Sequence, residues 1–443
     1  MSVVVKHSTV WEQVRAQATA NPAIYGRIDF SSVPERFTVD MSDVSSLRGP
    51  FLGRRQALLA DQDRVDLIKA YTMMGDPVAD AYAALIPQYG FSKLVQMLKT
   101  CCEKGFEAVP GAPPELRALL ADMERKPEWL DMDLVNRGAR IERNQYAHLA
   151  PFLVRGGLLA TFMNKYSALP MALTGNFSSS LAAKRVFETA TFFTLTVMPG
   201  ALDRHGQAFK AAAMVRLMHS MVRFNVTRRQ GVWDSTTYGV PIPLVDQMPA
   251  GLLAPFLISI EALRKGRRHF TREERARVEL ARYRCFLLGL PEILLGSTPE
   301  QIVALMLTRH ATLRKTFDDA TCGALVRGAM AAELWKGNSL GGYILRWLEP
   351  GFSKAFFVRH FADGDPAKAA AMGVSFTLAD RIRAAAAAAL IFPAMLAYDL
   401  ASKIGFLSDF ADKRLVQKIE RLLRSYGHAE FVSDGEKYQP VHV

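Results

Sequence analysis

The chain has 443 residues, half of them apolar and 22% charged, with a formal net charge of +12. Such a length and composition exclude a disordered or fibrous chain and allow a large hydrophobic core. The basic residues are spread along the sequence, with short clusters such as "LRKGRRHFTREERAR" at 263–277 and no aromatic-basic interleaving, so nucleic acid is not an expected partner.

Residues 1–50 read as an irregular N-terminal arm, in which "RFTVDM" at 36–41 is the best strand candidate. Beyond it, apolar residues recur at spacings of three and four. This predicts helices over 56–73, 79–104, 114–124, 135–166, 181–197, 206–227 and 250–264, then 272–288, 298–314, 319–335, 378–402 and 413–426. Gly, Pro and Ser clusters at 109–114, 173–180, 197–206 and 238–249 mark turns, and none is long enough to be a domain linker. The expected fold is all-α: a single large helical domain over residues 51–430, with 431–443 as a C-terminal tail. The longest uncharged apolar run, "AAAAAALIFPAMLAY" at 384–398, carries Pro393 and falls short of the roughly 20 residues of a spanning helix. It reads as a core helix.

Cys101, Cys102, Cys285 and Cys322 lack zinc-site or CxxC spacing. The opening "MSVVVKHSTVWEQ" lacks the pattern of a signal peptide. Both features fit a cytoplasmic protein; peripheral membrane contact stays open.

The helix predicted over 206–227 holds "VRLMHSMVR". At 100° per residue, Arg216 and Arg223 fall within about 60° of His219. Ala208 and Ala212 share that face, and Met214, Met218 and Met221 lie away from it. Two guanidinium groups on a largely apolar helix need anions, because an unpaired buried charge is strongly unfavourable. Haem b suits such a face. Its iron takes an imidazole, its ring would rest over Ala208 and Ala212, and its propionates would meet Arg216 and Arg223. The competing reading is a core histidine flanked by arginines paired with distant acids. Residues alone leave both open.

A second stripe lies in "SLAAKRVFETATFF". Arg185, Thr189, Phe192 and Thr196 share a face, and Glu188 adjoins it. The turn at 197–206 would let this helix pack against the one carrying His219.

"VRLMHSMVR", "RVFET", "YTMMGDPVADA" at 71–81 and "WDSTTYGVPIPLVDQM" at 233–248 resemble motifs of the MpaB and rubber-oxygenase (latex clearing protein) family and occur in the family's order along the chain. The resemblance spans about residues 70–265. It implies a helical b-type haem protein with His219 as the iron ligand and Arg216 and Arg223 as the arginines of that helix. It implies a distal side formed by Arg185, Glu188 and Thr189. Glu188 stands where the best-known rubber oxygenases carry lysine. Their upstream carboxylate has no clear counterpart here; the position falls near Leu169.

Other signals weigh less. "GNSLG" at 337–341 fits the nucleophile elbow around Ser339, but no strand precedes it. His148 is the reserve candidate for a second iron ligand, and His205 sits in a turn. The sequence thus predicts a haem b-dependent oxygenase that uses dioxygen on an apolar, unsaturated, isoprenoid or lipid-like substrate. Its catalytic candidates are Glu188, Arg185 and Thr189; its haem contacts are His219, Arg216, Arg223 and Ala212, with iron on His219. A non-catalytic haem protein and a haem-free helical interaction protein are the alternatives.

Overall fold

A computed structural model of the chain describes residues 7–174, 179–335 and 340–427. The principal helices are, in chain order, α1 His7–Ala20, α2 Pro77–Ala83, α3 Phe91–Lys104, α4 Pro114–Glu124, α5 Met132–His148, α6 Ala150–Leu159 and α7 Ser179–Leu195. They continue with α8 Gln207–Arg228, α9 Leu244–Arg264, α10 Arg272–Leu287, α11 Pro299–Thr312, α12 Leu340–Phe361, α13 Leu378–Ser402 and α14 Gly405–Tyr426. The described residues form an all-α fold. The segment "RFTVDM" pairs only through an isolated bridge from Phe37 to Leu313, with a second from Ser45 to Arg314.

The described residues group into two compact units. The first takes the described residues up to Val135 together with Asp203–Thr316; the second takes Asn136–Leu202 and the described residues from Phe317 onward. The first crossing, between Val135 and Asn136, falls inside α5, so no linker composition marks it. The expected C-terminal tail, 431–443, and Ser339 lie outside the described residues.

In the first unit the N-terminal arm is not irregular throughout. α1 buries Val10, Val14 and Gln17 at helical spacing. Gln17 donates to the Met73 carbonyl at 2.9 Å and accepts from the Gly75 N–H at 2.8 Å. The stripe was hard to read because its third member is polar and spends its amide on a loop backbone. That loop ends at α2, where Asp76 caps the helix by accepting from Ala79 N–H and Pro77 fills the first turn. Gly75 is required by closeness: a Cβ there would sit 1.7 Å from the Tyr25 hydroxyl. α2, α3 and α10 pack on α8. α8 is built from strong helix formers, and it buries Phe209, Leu217, Met221 and Phe224. Each such side chain contributes roughly 1.5–3 kcal/mol.

In the second unit α7 turns Ala182, Val186 and Ala190 into a core with Leu158, Phe162, Leu325 and Phe357. Arg155 and Glu349 form a buried pair within it, with Nε–Oε1 at 3.0 Å and Nη2–Oε2 at 2.9 Å. α12 was not anticipated, because its sequence carries two glycines near its start and Pro350 inside. Gly351 lets it approach α13: a Cβ there would meet the Arg383 Cβ at 2.5 Å. α13 begins with a capping box between Thr377 and Asp380. It is not the core helix expected from 384–398. Only 11% of its most apolar window is buried, through residues such as Ala387 and Ile391.

Candidate functional site

The midpoint of α8 carries buried Arg216 and Arg223, with half-buried His219 between them. Both arginines already have their anions. Arg216 meets Asp76 through Nε–Oδ2 at 2.7 Å and Nη2–Oδ1 at 2.8 Å, and meets Asp122 through Nη1 at 2.7 Å. Arg223 donates from Nε to Asp80 at 2.8 Å, from Nη1 to the Ile242 carbonyl at 3.0 Å and from Nη2 to Ser220 Oγ at 3.0 Å. Tyr25 donates its hydroxyl to the other oxygen of Asp80. Every nitrogen of both guanidinium groups is engaged. The expectation that they clamp propionates is therefore corrected; the charges are neutralised by carboxylates of "GDPVAD".

Electrostatics agree with the contacts. Burial works against the Arg216 and Arg223 charges, but Asp76 for the first and Asp80 for the second more than offset it and hold both above their ordinary values. Burial, helped by the Asp80 carboxylate, pushes the Tyr25 hydroxyl well above its ordinary value and keeps it a donor. Ile242 is held at φ 49°, a strained conformation for a β-branched residue, and its carbonyl accepts from Arg223. Three segments quoted for the resemblance thus converge on one network: "GDPVAD" supplies Asp76 and Asp80, "VRLMHSMVR" the arginines, and "GVPIP" the carbonyl.

His219 is the exception within that network. Its Nδ1 is buried and has no hydrogen-bond partner among the described residues. Burial and the adjacent Arg223 charge push its imidazole down to about 4, so it is neutral near pH 7. The partly exposed residues beside it on α8 are Val215 and Met218, whereas Ala208 and Ala212 are covered by protein. The expected seat on Ala212 is corrected because the neighbouring helices already fill it.

On α7, in the second unit, Arg185 donates from Nη1 to Glu188 Oε2 at 2.8 Å. Glu188 is buried, and its other oxygen, Oε1, has no partner among the described residues. Thr189 is exposed. The expected trio therefore divides: Arg185 and Glu188 act as a pair, and Thr189 lies on the outer side of the helix. Phe192 and Thr196 are buried, with the Thr196 hydroxyl returned to the Phe193 carbonyl at 2.6 Å. Leu169 is buried and offers no base. His148 is a satisfied core histidine: its Nδ1 lies 2.9 Å from Asn144 Oδ1 and 3.1 Å from Asn144 O, and its ring packs on Tyr398. His205 is exposed in its turn, with Nδ1 at 2.9 Å from the Cys102 carbonyl.

Asp76, Asp80, Asp122 and Tyr25 were missed as members of the site. The signal was present in "GDPVAD", where two acids four residues apart answer two arginines seven apart on α8.

The catalytic-domain model of the ER-bound oxygenase mpaB/B'/Rubber oxygenase family matches residues 144–394, more than half of the chain. The chain belongs to this family. Its match contains α7, α8 and the "GVPIP" loop, whereas Tyr25, Asp76 and Asp80 precede it. The chain is 26% identical over 174 residues to the Rubber oxygenase of Streptomyces sp. (strain K30). That alignment covers 38% of this chain and 41% of the Streptomyces protein, so it spans less than half of that relative. The fold is similar to the solved structure of Latex Clearing Protein LCP in the closed state, with a TM-score of 0.54 and 19% identity. This likeness covers 78% of this chain and 91% of the other.

Proposed function

We propose that this family member is a haem b-dependent oxygenase that uses dioxygen to cleave a carbon-carbon double bond in an apolar, isoprenoid-like or lipid-like substrate. The observation that carries the reading is the buried, unpartnered ring nitrogen of His219 on a helix fixed by two ion pairs. A neutral imidazole is the state that ligates iron. His219 would hold the haem iron; Arg216 and Arg223 would fix the register of α8 and take no propionate. When bound, the haem supplies activation of dioxygen toward the double bond.

The remaining roles belong to side chains. Glu188 is a buried carboxylate with one oxygen held by Arg185 and one unengaged among the described residues, the arrangement of a group that holds or moves a proton at Oε1. Arg185 orients it. Family membership and the name of the Streptomyces relative support an unsaturated hydrocarbon as substrate. One molecule of dioxygen per double bond would give two carbonyl ends, so atoms balance without a further reductant.

The test is incubation of the purified haem-loaded protein with squalene or short cis-polyisoprene under air. Carbonyl-ended fragments that require dioxygen and fall at least about tenfold with Glu188→Gln at unchanged haem content are expected, as for loss of one general acid or base. Absence of fragments from every unsaturated substrate, with intact haem, would contradict the oxygenase reading.

A further inference from the structure

We propose that the face formed by the first half of α12, by α13 and by the start of α14 docks on an anionic lipid surface, with α13 lying in the plane of the headgroups. The face is apolar and open. Tyr343, Trp347, Leu390, Phe392, Leu396 and Phe406 are all exposed, and residues 384–398 carry no charge. Contiguous exposed apolar surface of this extent marks an interaction site in a stable protein.

The shape of the face selects the occupant. At 100° per residue the exposed apolar positions of α13, from Phe392 through Leu396 and Ile382 to Leu390, sweep an arc of about 160°. A helix that meets another helix along a coiled-coil seam uses a narrower stripe. A helix half sunk in a bilayer interface needs the wider one. The opposite side of α13 is already committed, since Ala387 and Ile391 pack with Phe152 and Leu348. By length and composition the 25-residue α13 could also cross a bilayer, but its packed side would have to leave Phe152 and Leu348, whereas a helix lying in the headgroups keeps that contact.

Charge complementarity points to anionic lipid. The rim alternates aromatic and cationic groups: Arg346 lies 5.9 Å from the Tyr343 ring, Arg383 5.8 Å from Trp347 and Arg414 5.1 Å from Phe410. Arg381 and Lys403 are exposed at the two ends of α13. Of the acids of the region, Asp380 is buried, whereas Asp399 and Asp409 are exposed but each is paired with a neighbouring side chain. Asp380 accepts from Lys354 and Thr377, Asp399 from Asn144, and Asp409 from Arg140. The surface therefore presents cations and interfacial aromatics around an apolar centre, a combination that headgroups of one negative sign complete.

The experiment is flotation of the full-length protein with phosphatidylcholine vesicles and with phosphatidylcholine–phosphatidylserine vesicles, alongside its mass in solution. Binding to the mixed vesicles, weaker to phosphatidylcholine alone, is expected. Replacing Phe392→Glu and Leu396→Glu together should lower partitioning by at least about tenfold while leaving the circular-dichroism spectrum unchanged, because both side chains are exposed. Arg381→Gln or Lys403→Gln should each cost about fivefold on the mixed vesicles and little on phosphatidylcholine. No vesicle binding by the wild-type protein, or equal binding by the double variant, would overturn the proposal. So would a dimer that the double variant converts to monomer without any lipid binding, which would assign the face to a second copy of the chain.

Discussion

α8 and α7 each bury charged groups, yet they treat them differently. On α8 both guanidinium groups find every nitrogen a partner among Asp76, Asp80, Asp122, Ser220 and a backbone carbonyl. On α7 the Arg185–Glu188 pair leaves one buried carboxylate oxygen unengaged among the described residues, and at the centre of α8 the same holds for Nδ1 of His219. A completed buried network fixes geometry, because removing any member leaves an uncompensated charge. A buried polar atom left without a partner costs stability unless it serves chemistry. Under the proposed function the difference would separate roles within each unit: the arginines would hold α8 in place and His219 would be kept available on it, while Glu188 would be kept available on α7.

The comparison breaks first at Asp80. Asp80→Asn leaves Arg223 buried with its main anion gone and should cost about 3–5 kcal/mol of unfolding free energy in a denaturant titration. Glu188→Gln keeps the shape and an amide oxygen to which Arg185 can still donate, so it should cost about 1–2 kcal/mol in the same titration, less than the loss at Asp80. Equal costs at the two positions would erase the distinction. Replacing both partners, Asp80→Leu with Arg223→Met, should recover part of the loss, since an apolar pair of similar volume avoids the desolvation of two charges.

A second test uses acid. His310, on α11 in the same unit as α8, is pushed down to about 3 by its burial and by Arg309, although its Nδ1 lies 2.7 Å from the Met306 carbonyl. Its folded value lies below the unfolded value of roughly 6.5. Between those values the unfolded chain binds a proton that the folded chain does not, so stability is full above about pH 6.5 and declines as pH falls toward 3. Asp246, held below the usual carboxylate range because Arg36 and Arg309 outweigh its burial, adds a loss at the acidic end of the same window. His310→Gln should flatten the upper part of the decline in thermal melts between pH 7 and 4. An unchanged slope would show that His310 is not buried in its neutral form.

Much of the fold was legible from residue spacing. The helices carrying His219 and Glu188 were expected within a residue or two of where they lie, because Ala, Met, Leu and Arg at spacings of three and four leave little choice. α12 was not, since Gly341, Gly342, Pro350 and Gly351 interrupt its apolar pattern; the close approach of α13 accounts for Gly351. The openness of α13 was hidden for another reason. Periodicity shows that a helix is apolar but not whether protein or another medium covers it. At the site, His219 was singled out by its neighbours on the helix and by the family resemblance, but the arginines meet other anions than the expected propionates. Their partners lie some 140 residues upstream, at Asp76 and Asp80, and only tertiary packing brings them together. The division of Arg185, Glu188 and Thr189 between inside and outside also needed packing, because a wheel gives angles and not which neighbour arrives.

The most direct measurement is the visible absorption spectrum and haem content of the purified protein beside His219→Ala. The wild type should show a Soret band and about one haem per chain, and the variant should lose both at unchanged helicity, because His219 is the available imidazole on the fixed helix. A colourless wild type reconstituted with haem, or a variant that keeps stoichiometric haem with the same spectrum, would contradict the assignment of His219 as the ligand and with it the division between scaffold and reacting groups.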